Sequence, residues 1–466
     1  MKVFILLPIF ASMFFNSTAQ KKWVDVNDFG VIANNEKIDN YNQFLSAFAF
    51  AQKHNLRRIK IPAGTFYISK GFMLNDDILV SGAGMDKTIL KLINNLPPRT
   101  DEATQTAVFT GINSFSLSQS ATTKNISIKS LTIILQKPTD EFKIEKFSML
   151  GGIRLINPEN CLIDSVKIIN PPKFGIGLYA TTGGAACSNN TIQNCMVIMQ
   201  QDWYLQLKPE IIPRSNESCI GIEIASPIGK NNNGASTYLD RNNADYILSK
   251  ATQNTIKNSR ISGGSHGISM SNACKNTLMN NNIKGCSNRG IIIITCSDYN
   301  IISNNKIADI GSTAVHMAYN SSFNKIKNNV INGVLGVEGD GIKSYINCNN
   351  NQITDNTITN FARTGIRVSH GANNNVIERN TIVGNNLNEQ IGIKIIANNQ
   401  RQYQEGFQYD NKLTASNNTC LNNDISSVAL GVLISDEMNM PNSLKSNKAG
   451  NNKFKNVTKQ YNKPAN

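Results

Sequence analysis

Residues 254–268 read Asn254-Thr-Ile256-Lys-Asn-Ser-Arg-Ile-Ser-Gly-Gly-Ser-His266-Gly267-Ile268, and the phrase returns one unit later as Asn276-Thr-Leu278 followed by Gly290-Ile291. It recurs to about Ala397: an Asn, a gap, an Ile-type residue, then a Gly-Ile pair about a dozen residues on. The first apolar landmark falls at Ile256, Leu278, Ile302, Ile326, Ile353 and Ile377, in steps of 22, 24, 24, 27 and 24 residues. The second falls at Ile268, Ile291, Val315, Ile342, Ile366 and Ile393, in steps of 23, 24, 27, 24 and 27. Two landmarks drifting together at this period describe one supersecondary unit stacked on itself.

The unit is made of strands. Its apolar runs, such as Gly267-Ile-Ser-Met270, Gly290-Ile-Ile-Ile-Ile294 and Gly365-Ile-Arg-Val368, alternate or are β-branched, with Gly and Asn as punctuation. No window keeps a 3.6-residue period. About 23 residues accommodate three strands of about four to five residues and their bends, one coil of a parallel β-helix with strands ~4.8 Å apart. Asn tolerates left-handed φ and bonds its neighbours' backbone, so the recurring Asn residues are expected to be scaffold.

The 466 residues carry only 17% charged side chains but a formal net charge of +14. On a solenoid this surplus favours an anionic partner. The basic residues are spread through the coils and no nucleic-acid motif appears, so an acidic polysaccharide is expected and nucleic acid is not. Oligomeric state, monomer or trimer, is not legible. Met1–Gln20 has a basic start at Lys2, an apolar run Val3–Phe15 and the small residues Ser17-Thr18-Ala19. It reads as a secretory signal over 1–19, too short to span a membrane, for a secreted or periplasmic protein. The nine cysteines are an odd number, and Cys274, Cys296 and Cys348 recur six or seven places after the Gly. Buried free thiols are expected there in preference to a Cys274–Cys296 disulfide. No CxxC or HxxxH pattern suggests zinc.

Residues 20–95 have a separate character. Within Asn40–His54, Phe44, Leu45, Phe48 and Ala51 or Gln52 recur at helical spacing, and such a helix would plug the open end of the solenoid. The phrases Val26-Asn-Asp-Phe-Gly30, Ile59-Lys-Ile-Pro-Ala-Gly-Thr-Phe-Tyr-Ile68 and Leu79-Val-Ser-Gly-Ala-Gly84 resemble the N-terminal segment of the pectate-lyase-like superfamily, including relatives of family 28 glycoside hydrolases and phage tailspikes. The resemblance implies an all-β, right-handed parallel β-helix solenoid with an N-terminal capping helix. It carries no single activity, since the superfamily holds lyases, hydrolases, epimerases and non-enzymes. The solenoid is expected over 96–436, with inserted loops at 96–123, 136–150, 199–250 and 398–414, and a polar tail at 437–466. Loops inserted in a repeat protein gather on a face. Trp203, Tyr204 and Arg241 in the third loop pair ring faces with a cation, which suits a sugar acid.

Aligning coils on Gly-Ile gives an outward column two places after the Gly: Glu223, Ser269, Ile292, His316, Lys343, Arg367 and Lys394. The place before the Gly, expected at the adjoining bend, holds His266, Arg289, Thr313, Asp340 and Thr364. Stacked like charges are costly unless an anion neutralises them, so this flank is the expected substrate groove. Cleaving an acidic polysaccharide by β-elimination requires neutralising the uronate carboxylate, removing the C5 proton and protonating the leaving oxygen. Arg suits the first act, and Lys or His the second. A neighbouring like charge makes Lys a better base. The expected catalytic residues are Lys343, Arg367, His316 and His266, with Arg289, Lys394 and His370 binding substrate. Glu223, Glu338 and Asp340 are oxygen donors that would hold Ca²⁺.

Arg367-Val-Ser-His370-Gly371, one coil after Lys343, is similar to the Arg-x-His-Gly and preceding-coil Lys of β-helical alginate and dermatan lyases, polysaccharide lyase family 6. That likeness implies a Lys base and an Arg acid or neutraliser, with one extra residue between Arg367 and His370. The alternative is a hydrolase with paired carboxylates. Ser265-His266-Gly267-Ile268-Ser269 resembles the His-Gly segment of family 28 polygalacturonases, but their Asp pair and Arg-Ile-Lys are absent, and Glu338-Gly339-Asp340 is the only close acidic pair in the regular coils. The third reading is a non-catalytic carbohydrate-binding surface solenoid.

Overall fold

A computed structural model describes residues 22–93, 107–111, 121–135, 151–181, 186–199, 219–227, 248–336, 339–397, 414–436, 444 and 446–462. The expected leader, Glu338, Trp203, Tyr204, Arg241 and most of the expected loops lie outside them.

The chain winds as a right-handed parallel β-helix, with 36 strands among the described residues paired in one sheet. One coil comprises Thr277–Met279, Asn282–Lys284 and Arg289–Ile294. Each strand pairs in parallel with its counterpart one coil on: Leu278 with Ile302, Ile283 with Ile307 and Ile291 with Val315. In this coil two strands are three residues long and the third is six, where strands of four to five were expected; in three later coils the second strand has five.

The apolar files read from the sequence face one interior. Ile256, Leu278, Ile302, Ile326, Ile353 and Ile377 are all fully buried, as are Ile268, Ile291, Val315, Ile342, Ile366 and Ile393. Beside the second file the glycines face inward too. A Cβ on Gly267 would stand 2.4 Å from Ile283 Cγ2, and one on Gly365 2.5 Å from Ile382 Cγ2. Gly is therefore required because the neighbouring sheet's isoleucine fills that space. Two consecutive inward positions, Gly then Ile, also break the alternation of the strand. His266 and Ser269 consequently share the outer face, and His266, Arg289, Thr313, Asp340 and Thr364 begin strands instead of sitting in the bend.

The asparagines divide into two roles. One set supplies left-handed backbone at the bends: Asn258, Asn280, Asn304 and Asn328 have φ of 53–57°. The next residue along belongs to a buried ladder. The ladder starts at Asn281, and in Asn305, Asn329, Asn356, Asn380 and Asn423 the side-chain oxygen accepts the backbone N–H and the amide of the Asn one coil before. A second ladder runs through Asn254, Asn276, Asn300, Asn324, Asn351, Asn375 and Asn418. Asn is suited to this because one short side chain both donates and accepts.

At the N-terminal end the helix Tyr41–Lys53 buries Phe44, Ala47, Phe48 and Ala51, an i, i+3, i+4, i+7 stripe. Phe44 meets Phe66 edge-on at 5.6 Å between ring centroids, and Phe48 lies 5.2 Å from Phe72. Leu45, expected on the buried face, falls off that stripe and is exposed. Two boundaries also shift. Ala107–Gly111, within the expected 96–123 loop, is a strand pairing with Phe72–Leu74 and Gly151–Ile156. In the expected tail, Lys448–Gly450 and Lys453–Asn462 form a further coil, and Asn447 and Asn452 extend both ladders. Its polar outer residues outnumber the few apolar ones, which hides the coil in the sequence.

All nine cysteines are free thiols, and all but Cys274 are buried. The Cys274 thiol donates to the Cys296 carbonyl, at 3.3 Å. Burial pushes Cys161, Cys195 and Cys286 up to about 12, so they are packing groups and not nucleophiles.

Candidate functional site

The outward column exists as aligned. Glu223 pairs with Ser269, Ser269 with Ile292, Ile292 with His316, His316 with Lys343, Lys343 with Arg367 and Arg367 with Lys394. His316, Lys343 and Arg367 thus stand on consecutive rungs of one sheet. The strand-opening column and the register Ser271, Ile294, Ala318, Tyr345 and Ser369 flank it on the same face.

Arg289 lies between two histidines. Its Nε–H donates to His316 Nδ1 at 2.7 Å, and its Nη1 is 3.5 Å from His266 Nε2. A guanidinium only donates, so each imidazole accepts at that nitrogen and carries its proton on the other. Burial and Arg289 together push His266 down to about 3 and hold His316 well below its usual value; Lys343, His266 and Arg367 add to the effect on His316. Both rings are neutral donors at neutral pH, through His266 Nδ1–H and His316 Nε2–H.

One coil on, Lys343 Nζ sits 4.4 Å from the centre of the Tyr345 ring. Tyr345 packs edge-on against His370 at 4.4 Å and faces His316 at 6.0 Å. Burial, followed by Arg367 and Lys343, pushes His370 down to about 3. Asp340 is fully buried and bound in bidentate fashion by Arg363, Nε to Oδ1 at 3.0 Å and Nη2 to Oδ2 at 2.8 Å. Arg367 Nη1 stands 3.9 Å from the same Oδ2. The sequence reading missed Tyr345 and Arg363. Tyr345 was findable, since two places beyond Lys343 is the next outward position. Arg363 had no periodic signal.

Of the expected calcium ligands, Glu338 lies outside the described residues, and Glu223 and Asp340 do not come together. Glu223 lies four rungs from Lys343, about 19 Å at the strand spacing, and accepts a 2.6 Å hydrogen bond from the Tyr179 hydroxyl. Asp340 is taken by arginines. No group of three metal-ligating side chains occurs among the described residues, and Glu223 and Asp340 do not share one Ca²⁺ site. Asp340 and Glu223 are also too far apart to flank one glycosidic bond.

Ten buried side-chain polar atoms of the described residues lack a hydrogen-bond partner, and six lie on this one flank: His266 Nδ1, His316 Nε2, Thr364 Oγ1, Arg367 Nε, Ser369 Oγ and His370 Nδ1. Unmet capacity is costly in a finished interior and is found where a ligand completes it. Chemically the flank offers guanidinium and imidazole donors for an anion, an amine beside a guanidinium, and a phenol.

The family described as "Right handed beta helix region" matches residues 215–343 and 245–400. No curated protein matches the chain. Among solved structures, the A-module of mannuronan C-5 epimerase AlgE6 from Azotobacter vinelandii is 14% identical over 95% of this chain and 100% of its own, with a TM-score of 0.61. The surface protein and adhesin PfbA of Streptococcus pneumoniae is 14% identical over 94% and 99%, with a TM-score of 0.60. An exopolygalacturonase from Thermotoga maritima is 12% identical over 94% and 92%, at 0.53. An epimerase, an adhesin and a hydrolase share this architecture, so it fixes the fold and leaves the activity to the site. The chain shares the right-handed parallel β-helix fold with these structures, and its residues 215–400 carry the match to the family model.

Proposed function

We propose that the protein acts on an acidic polysaccharide at the Arg289–His316–Lys343–Arg367 flank, as a lyase cleaving by β-elimination. The observation that carries this reading is the clustering of unsatisfied, buried donors around Lys343 and Arg367 on consecutive rungs. Arg367 pairs with the uronate carboxylate and stabilises the charge that develops on it as the C5 proton leaves. Lys343, in its neutral form, takes that proton. The C5–H electrons form the C4–C5 double bond, the C4–O bond breaks, and the leaving oxygen takes a proton from the Tyr345 hydroxyl. His266 and His316 serve as neutral donors to the sugar, because each has its other nitrogen occupied by Arg289. His370 and Lys394 bind along the same flank.

Hydrolysis has less support, since Asp340 is held by Arg363 and lies four rungs from Glu223, too far for the two to flank one glycosidic bond. Similarity to an epimerase, a polygalacturonase and an adhesin is compatible with a polysaccharide partner. The leader-like Met1–Gln20 supports a place outside the cytoplasm, and no helix among the described residues is long and apolar enough to cross a membrane. The test is a scan of polyuronates and sulfated glycans with the purified protein. Unsaturated uronate absorbance is expected. New reducing ends without it would establish hydrolysis, inverted uronate configuration without cleavage an epimerase, and glycan retention alone a binding protein.

A further inference from the structure

Five rungs from Lys343 on the same sheet face lies a second constellation. Tyr179 belongs to the rung of Gly177, from which the register runs through Glu223, Ser269, Ile292 and His316 to Lys343. The Tyr179 ring lies across Gly177: a Cβ there would stand 2.4 Å from ring atom Cε2 and 2.6 Å from the hydroxyl. One rung below, the Arg154 guanidinium is 5.8 Å from the ring centroid; one rung above, Glu223 accepts the phenol's hydrogen bond. All three are half-buried, so they remain in reach of solvent. The column between the two constellations, Ser269 and Ile292, carries no charge.

A ring laid across the strand by an adjacent Gly, with a cation on one side and a carboxylate on the other, fits a sugar acid. The ring takes the apolar face of the sugar, the guanidinium its carboxylate and Glu223 a hydroxyl. We infer that Arg154, Tyr179 and Glu223 form a distal subsite for an acidic sugar, which holds the same polymer whose cleaved residue lies at Lys343. The inference rests on the reading of the Lys343 flank as a uronate site. Five rungs span about 24 Å, so only a chain long enough to cover that distance engages both.

The test is calorimetric binding of uronate trimers and of long uronate oligomers to the full-length Lys343→Ala protein, with and without Tyr179→Ala. The expected result is an affinity for the long oligomers about tenfold weaker in the Tyr179→Ala background, equivalent to about 1.4 kcal/mol, with trimer affinity unchanged. Glu223→Gln, which keeps the side chain's size, should weaken long-chain binding in the same sense and guards against a folding defect at Tyr179. Equal affinity of all variants for long chains overturns the subsite while leaving the Lys343 site standing. Equal loss for trimers and long chains overturns it as well. Absence of binding at every length removes the uronate reading and the subsite with it.

Discussion

The asparagine ladders and the Lys343 flank are both buried polar stacks of this solenoid, and they are built on opposite terms. In the Asn281–Asn423 ladder every amide is answered by the next coil: Asn305 donates to the Leu278 carbonyl and to Asn329, and accepts twice from Asn281. On the Lys343 flank the same one-residue-per-coil stacking brings together Arg289, His316, Lys343 and Arg367, and leaves six buried polar atoms unanswered. Amides stack without repulsion because each is donor and acceptor. Cations stack only at a cost, which a bound anion offsets. The difference separates polar groups that hold the fold from polar groups that wait for a ligand.

The largest effect that would sharpen this contrast is on turnover. Lys343→Ala should lower kcat by about two to four orders of magnitude, the range of a lost general base, with no loss of stability, because a buried cation beside Arg367 is removed. Steady-state kinetics and a urea midpoint measured on one preparation check both halves. Retained turnover would remove Lys343 from the chemistry. The ladder predicts the reverse. Asn305→Ala strands the Asn281 backbone N–H and the Leu278 carbonyl, and should cost about 2–6 kcal/mol of stability at about 1–3 kcal/mol per stranded group, with KM unchanged in whatever protein stays folded. A shift in KM with stability intact would mean that the ladder and the site are not separate systems.

Acid should find the flank before the ladder, since amides do not titrate. His266 and His370 are held near 3 in the folded chain and return to about 6.5 when it unfolds. The unfolded chain therefore binds more protons between those values, and stability falls as pH drops through that window. At pH 5 the loss is about 2 kcal/mol for each histidine. Thermal unfolding at pH 5 and 7.5 measures it; a flat profile would contradict the burial of the two rings, and His370→Gln should reduce the slope. The smallest effect has the opposite sign. Thr364 is fully buried with an unanswered hydroxyl, so the isosteric Thr364→Val should be neutral or stabilising by up to about 1 kcal/mol. Loss of stability there would show that the hydroxyl is already satisfied.

Much of this was legible from residue spacing. The files at Ile256 and Ile268 and the column through Lys343 and Arg367 followed from a period near 24, because identical coils stack in register and the outward neighbour of an inward Ile stays outward. Helical spacing alone does not exclude Leu45 from the buried stripe, and the polar outer residues of the last coil, Lys448–Asn462, outweigh its few apolar ones in local composition. Glu223 and Asp340 were grouped by their oxygen-donor chemistry, yet the same column sets Glu223 four coils before the Lys343 rung, so the two cannot meet.

The sequence by itself determined the solenoid, its register and which residues share a flank, since all three depend only on periodicity and on the alternation of strand faces. The tertiary structure decided what the shared flank does. Which imidazole nitrogen Arg289 occupies, that Arg363 claims Asp340, and that Tyr345 stands between Lys343 and His370 depend on side-chain reach across neighbouring coils. Those distances are set by packing in three dimensions, and no spacing along the chain encodes them.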